Sequence, residues 1–142
     1  MNIPSFPHDA PISEITQAFS EAGCAVIKGV TDPALRQQLK NELAPHMAAT
    51  PVAKEDSPAD FYPGRTRRVS ALVARSPTIT DHLLTHTLTT AICDDYLLAN
   101  CEHGYQLHVT AALEVGPDAR RQILHREEDP FAFFSLPRPN II

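Results

Sequence analysis

Two side chains in the run QILHREEDPF, His125 and Glu127, hold the clearest chemical potential of this sequence. On a strand, side chains alternate faces, so an imidazole and a carboxylate two residues apart point the same way. Together they are two of the three ligands of a two-His-one-carboxylate facial triad. That arrangement holds non-haem Fe(II) and leaves positions open for co-substrate and O2. The third ligand must be a second His brought in from a distant strand. HxE pairs are common, and the same residues also read as a solvated pair at a hairpin end. Glu128 and Asp129 are rival carboxylates.

Other candidates carry less. His82 and His86 are four apart on an expected helix, but HLLTH lacks the Glu beside the first His that a zinc-protease helix carries. Cys101 and His103 are two apart near a loop. A structural zinc site would need two more ligands, and only His108 offers itself. Cys24 and Cys93 read as small core hydrophobes. Arg65, Arg67, Arg68 and Arg75 form the one concentrated positive stretch. They suit either a solvated strand edge or a clamp for carboxylate or phosphate, which guanidinium forks bind in bidentate fashion. No glycine-rich nucleotide loop accompanies them. No GxSxG elbow or Cys–His signature points to a hydrolase.

The elements that must position these groups follow from spacing. Ser13 reads as the cap of a first helix, with Ile15, Ala18, Phe19 and Ala22 on one face and Gly23 as its stop. CAVIKGV, residues 24–30, predicts a short buried strand. Asp32 and Pro33 open a second helix carrying Leu35, Leu39 and Leu43, which Pro45 stops or bends. Residues 47–64 read as a long loop of the kind that often carries function. A strand is expected over 67–74, with Val69, Ala71 and Val73 on one face. Ser76-Pro77 opens a helix to about His86, and another spans about Thr87 to Ala99 with Leu88, Ile92, Tyr96 and Ala99 on one face. Tyr105 to Val115 reads as a strand, Gly116-Pro117-Asp118 as a turn, and Gln122 to Glu127 as the return strand of an antiparallel hairpin. Helices dominate the first hundred residues and strands follow, which predicts an α+β fold with a helical part at about 12–100 and the start of a sheet at about 104–142.

Composition bounds the rest. The 142 residues suit one domain, and 43% apolar with 20% charged residues is ordinary globular usage. A net charge of −5 argues against nucleic acid or an anionic membrane as partner. No apolar run approaches a membrane span, and the start shows no secretory pattern. Three Cys without a CxxC suit reduced thiols, so a cytoplasmic setting is expected. Thirteen Pro against five Gly fit many loops and short elements.

Taken in series, FSEAGCAVIKGV, GRTRRVSALVARSPTITDHLLTHTL, NCEHGYQLHVTAALEVGPDARRQILHREEDPF and the aromatic run after it resemble the phytanoyl-CoA dioxygenase family, in its branch of small-molecule hydroxylases. The likeness covers nearly the whole chain from about Ile15. It implies an Fe(II)- and 2-oxoglutarate-dependent dioxygenase built on a double-stranded β-helix, a jelly-roll variant. Such enzymes use O2 to decarboxylate 2-oxoglutarate to succinate and CO2 and oxidise an unactivated C–H bond. The cofactor carries the oxidation chemistry and the protein supplies orientation and a dry pocket.

By position, the resemblance makes His125 and Glu127 the first iron ligands. It places Gln122 and Arg68 at 2-oxoglutarate, with Arg67 as Arg68's rival. Gln106 and His108 fall on the substrate side. An apolar or acyl-type small molecule is the substrate class the family suggests; Phe131, Phe133 and Phe134 read rather as core packing. The family usually has Asp where this chain has Glu127, and no His follows His125 in these residues. The chain is therefore expected to be the N-terminal portion of a truncated jelly roll, prone to self-association through exposed sheet edges. The alternatives are an inactive remnant or a small binding module.

Overall fold

The computed structural model describes residues 2–54, 61–101 and 103–125. Strand β1 (Ser5–Pro7) leads into helix α1 (Ile12–Ala22) and strand β2 (Val26–Lys28), which pairs parallel with β1. Gly23 ends α1 in the left-handed conformation, with its N–H bonded to the Phe19 carbonyl. Ser13 is not the cap: the helix begins at Ile12, two residues earlier than a Ser13 cap would set it, behind Pro11 and without a side-chain cap. Proline's fixed φ turns the chain into the first turn unaided. The strand expected over 24–30 is shorter and half-exposed, and Cys24 is exposed rather than in the core.

Helix α2 (Pro33–Ala49) starts as its sequence dictates. Asp32 Oδ1 accepts the Leu35 N–H at 2.7 Å, and Pro33 occupies the first turn, where its missing N–H is not needed. Asp32→Ala is expected to cost about 1 kcal/mol, read as a lower midpoint in urea with an unchanged slope. Pro45 does not stop this helix, which runs four residues further to Ala49. An interior proline costs about 3 kcal/mol. Here the cost is offset by packing on both sides of it: Leu43 and Met47 lie against the buried cluster of Val69, Leu72 and Ile79.

Strand β3 (Thr66–Ser70) and strand β4 (Ala111–Val115) form an antiparallel pair, Arg67 opposite Glu114 and Ser70 opposite Ala111. β3 stops short of the expected 67–74 because Ala71 takes φ 57°, a left-handed turn into a 3₁₀ segment at Leu72–Ala74. The turn rotates Leu72 into the core and leaves Val73 exposed, replacing the period of two with a step of three. A π-helical turn, Ile79–Leu84, follows where an ordinary helix is expected, and then helix α3 (Thr87–Leu97). His86 caps α3, its Nδ1 accepting the Leu88 N–H at 3.2 Å. α3 packs on α1 through buried Ile15 and through Phe19 and Tyr96, whose rings meet edge-on at 4.8 Å.

The expected strand from Tyr105 shortens to Ala111–Val115, and residues 121–125 carry no strand. β4 therefore pairs with β3 and not with a return strand over 122–125. The Gly116-Pro117-Asp118 turn is present. At Gly116 a Cβ would lie 3.0 Å from the Arg65 carbonyl oxygen, so this close crossing favours glycine. The described residues thus make a mixed helix-and-strand structure with two small sheets, consistent with α+β; a jelly roll is not visible among them. No described helix is long and apolar enough to cross a membrane.

Candidate functional site

The arginine stretch divides by strand alternation. Arg67 and Val69 share one face of β3; Thr66, Arg68 and Ser70 share the other. Arg67 Nη1 donates to Glu114 Oε1 of β4 at 2.6 Å, and its Nε is buried without an acceptor among the described residues. Arg65 leaves the sheet with a left-handed φ of 63° and donates to the Pro117 carbonyl at 2.8 Å. Arg75 donates to the Ser70 carbonyl and to His46 Nδ1. Those three arginines serve the scaffold.

Arg68 stands apart. Its Nη1 donates to the Ser70 hydroxyl, and its guanidinium carbon lies 5.4 Å from the centre of the Tyr62 ring. The Tyr62 ring meets Phe61 edge-on at 4.9 Å, and Phe61 meets the His125 imidazole at 4.7 Å. A continuous aromatic path thus joins the candidate iron ligand to the candidate co-substrate residue, across a wide gap in sequence. The path runs through the end of the long loop before β3. Sequence reasoning singled out that loop but not these two residues. An adjacent aromatic pair just before Pro63-Gly64, in an otherwise polar stretch, is the signal that could have found them.

His125 is exposed, and its Nδ1 lies 2.8 Å from the Ile123 carbonyl oxygen. A carbonyl can only accept, so this nitrogen carries a proton. A neutral imidazole whose other nitrogen donates to a backbone carbonyl is the form that binds a metal. Gln122 is exposed on the same segment. Gln106 and His108 are exposed in a segment without strand pairing, so the alternation expected to aim them at one cavity does not operate there. That segment is tied at its start by Tyr105 Oη, which donates to Asp94 Oδ1 at 2.7 Å; the bond and the carboxylate's charge push the phenol up to about 12.

Glu127, Glu128, Asp129, Phe131, Phe133 and Phe134 lie outside the described residues. Among the described residues, no three His, Cys, Asp or Glu side chains come together to hold a metal. His86 is used as a helix cap while His82 is exposed, and among the described residues Cys101 and His103 gather no further ligands. Cys93 is half-buried, and burial followed by the charge of Asp94 pushes its thiol up, away from the reactive thiolate.

Known proteins give this geometry its context. The multifunctional dioxygenase prhA of Penicillium brasilianum is 31% identical over 135 residues, which is 94% of this chain and 44% of prhA. The chain is similar to fungal dioxygenases. The multifunctional dioxygenase ausE of Emericella nidulans is 30% identical over 138 residues, 95% of the chain and 45% of ausE. The dioxygenase FUM3 of Gibberella moniliformis is 28% identical over 135 residues, 91% and 45% respectively. The chain spans less than half the length of these curated dioxygenases. No protein-family model matches it.

Proposed function

We propose that these residues form part of an Fe(II)- and 2-oxoglutarate-dependent dioxygenase of the phytanoyl-CoA dioxygenase type, acting on a small organic substrate. The observation that carries the reading is the aromatic path joining His125 to Arg68, in a chain whose relatives are named dioxygenases. The donor chemistry fits the metal. With the Nδ1 proton donated to the Ile123 carbonyl, a neutral His125 would bind iron through Nε2, and Glu127 follows two residues later in the sequence. The remaining ligand belongs to the part of the relatives' length that these residues do not span. Bound iron and 2-oxoglutarate would supply the oxidation of a C–H bond by O2.

The chain's own residues bind and orient. The Ile123 carbonyl anchors the His125 ring through Nδ1. The Arg68 guanidinium, kept in place by Ser70 and Tyr62, receives a carboxylate of 2-oxoglutarate. Arg67 is the poorer choice, because Glu114 already neutralises it on the opposite face. Gln122 donates to the co-substrate from the segment that carries His125. Gln106 and His108 lie on the substrate side.

Anaerobic equilibrium dialysis tests the ligand pair. Glu127→Ala is expected to weaken Fe(II) retention by at least roughly tenfold, the lower bound for disturbing a metal's ligand environment. Glu127→Asp, which restores the shorter carboxylate usual in the family, is expected to retain Fe(II) at least as well as the parent. Equal retention by the Ala variant would remove Glu127 from the site.

A further inference from the structure

We infer that Phe61 and Tyr62 are positioning residues of the site: Phe61 sets the orientation of the His125 imidazole and Tyr62 that of the Arg68 guanidinium. The inference rests on the proposed role of His125 and names residues which that reading does not use. Phe61 and His125 meet at 4.7 Å with their planes 66° apart, an edge-to-face contact that specifies the rotation of the imidazole. Tyr62 lies 5.4 Å beneath the Arg68 cation and 4.9 Å from Phe61 at 89°, so each ring limits the freedom of the other. His125 is on a segment without regular hydrogen-bonded structure. Its backbone alone therefore does not fix the direction in which Nε2 points. The Ile123 carbonyl anchors Nδ1, and the Phe61 edge packs against the ring and limits its rotation about that anchor.

Neither ring belongs to the buried core. Phe61 is 44% exposed and Tyr62 is 40% exposed, and neither is part of the Val69–Leu72–Ile79 cluster. Large half-exposed aromatics in contact with two chemically competent side chains, yet outside the core, are placed for the site rather than for stability.

The test uses Co(II), an oxygen-stable probe for an iron site, added to the 142-residue chain while the ring signals of each histidine are followed by NMR. In the parent protein the His125 signals are expected to broaden at lower Co(II) than those of the exposed His103. Phe61→Ala is expected to raise the Co(II) needed at His125 about tenfold without moving the melting temperature. Phe61→Tyr, which keeps the ring edge, is expected to restore the parent response. Phe61→Leu keeps apolar volume without a ring edge and is read the same way if the Ala variant does not fold. Unchanged His125 broadening in both Phe61→Ala and Phe61→Leu overturns the positioning role and leaves the proposed metal site standing. Broadening at His125 no earlier than at His103 in the parent overturns the metal site itself, and the positioning role with it.

Discussion

Glu42→Ala is expected to lower the melting temperature by on the order of 10 °C. Glu42 projects from α2 to the start of the π-helical turn. Its Oε2 accepts from the Ser76 hydroxyl at 2.5 Å and from the Thr78 N–H at 3.2 Å, while Oε1 accepts from the Thr78 hydroxyl at 2.7 Å. Ser76 and Thr78 are 0% and 1% exposed, so losing the acceptor leaves buried donors without their partner. Glu42→Gln is expected to fall between the parent and Ala, because the amide still accepts but its NH2 opposes a buried donor. Unchanged melting of both variants would show that this contact does not hold α2 to the turn.

The same contact sets an acid limit. The Ser76 hydroxyl first, then the Thr78 hydroxyl, hold the Glu42 carboxyl down from its ordinary 4.5 to about 2, against an opposing push from burial. A carboxyl lowered by folding stabilises the native state fully above its unfolded value. That contribution fades as pH falls from 4.5 towards 2. The parent is therefore expected to lose stability across this window. Glu42→Gln, which has no proton to take up there, is expected to show a flatter profile. The consequence reaches the site, because α2 supports Val69 of β3, the strand that also carries Arg68.

Local signals in the sequence decided the local structure. Asp32-Pro33 specifies where α2 begins, Gly23 specifies where α1 ends, and the spacing of Leu88 and Tyr96 marks the buried face of α3. Each rests on hydrogen bonds or periodicity within one turn of helix. What was not legible depends on partners far away in the chain. Pro45 looks like a stop until Leu43 and Met47 are seen packed on β3 and its neighbours. Ala71 looks like a strand residue, since nothing local marks its left-handed turn; the Thr110 hydroxyl that accepts the following Leu72 N–H comes from 38 residues on. β4 was expected to pair forward with 122–127, yet the Arg67–Glu114 pair and the Gly116 crossing bind it back to β3. For the candidate site, the HxE spacing pointed to His125, and only the family resemblance singled out Arg68 from the arginine stretch. The rings of Phe61 and Tyr62 that join them lie in a loop without period, where sequence pattern says nothing about contact.

The strongest functional effect is expected from His125→Ala. It removes the one candidate iron ligand within the described residues, whose Nδ1 hydrogen-bonds the Ile123 carbonyl. It leaves untouched the buried cluster that supports the fold. An anaerobic titration of the protein with Fe(II) and 2-oxoglutarate reads this directly, because the chelated co-substrate on iron absorbs visible light through metal-to-ligand charge transfer. The account predicts a charge-transfer band in the parent that saturates with Fe(II) and is absent from His125→Ala at the same concentrations. A band of equal intensity in His125→Ala, or no band in the parent, would contradict the assignment of His125 to the iron of a dioxygenase.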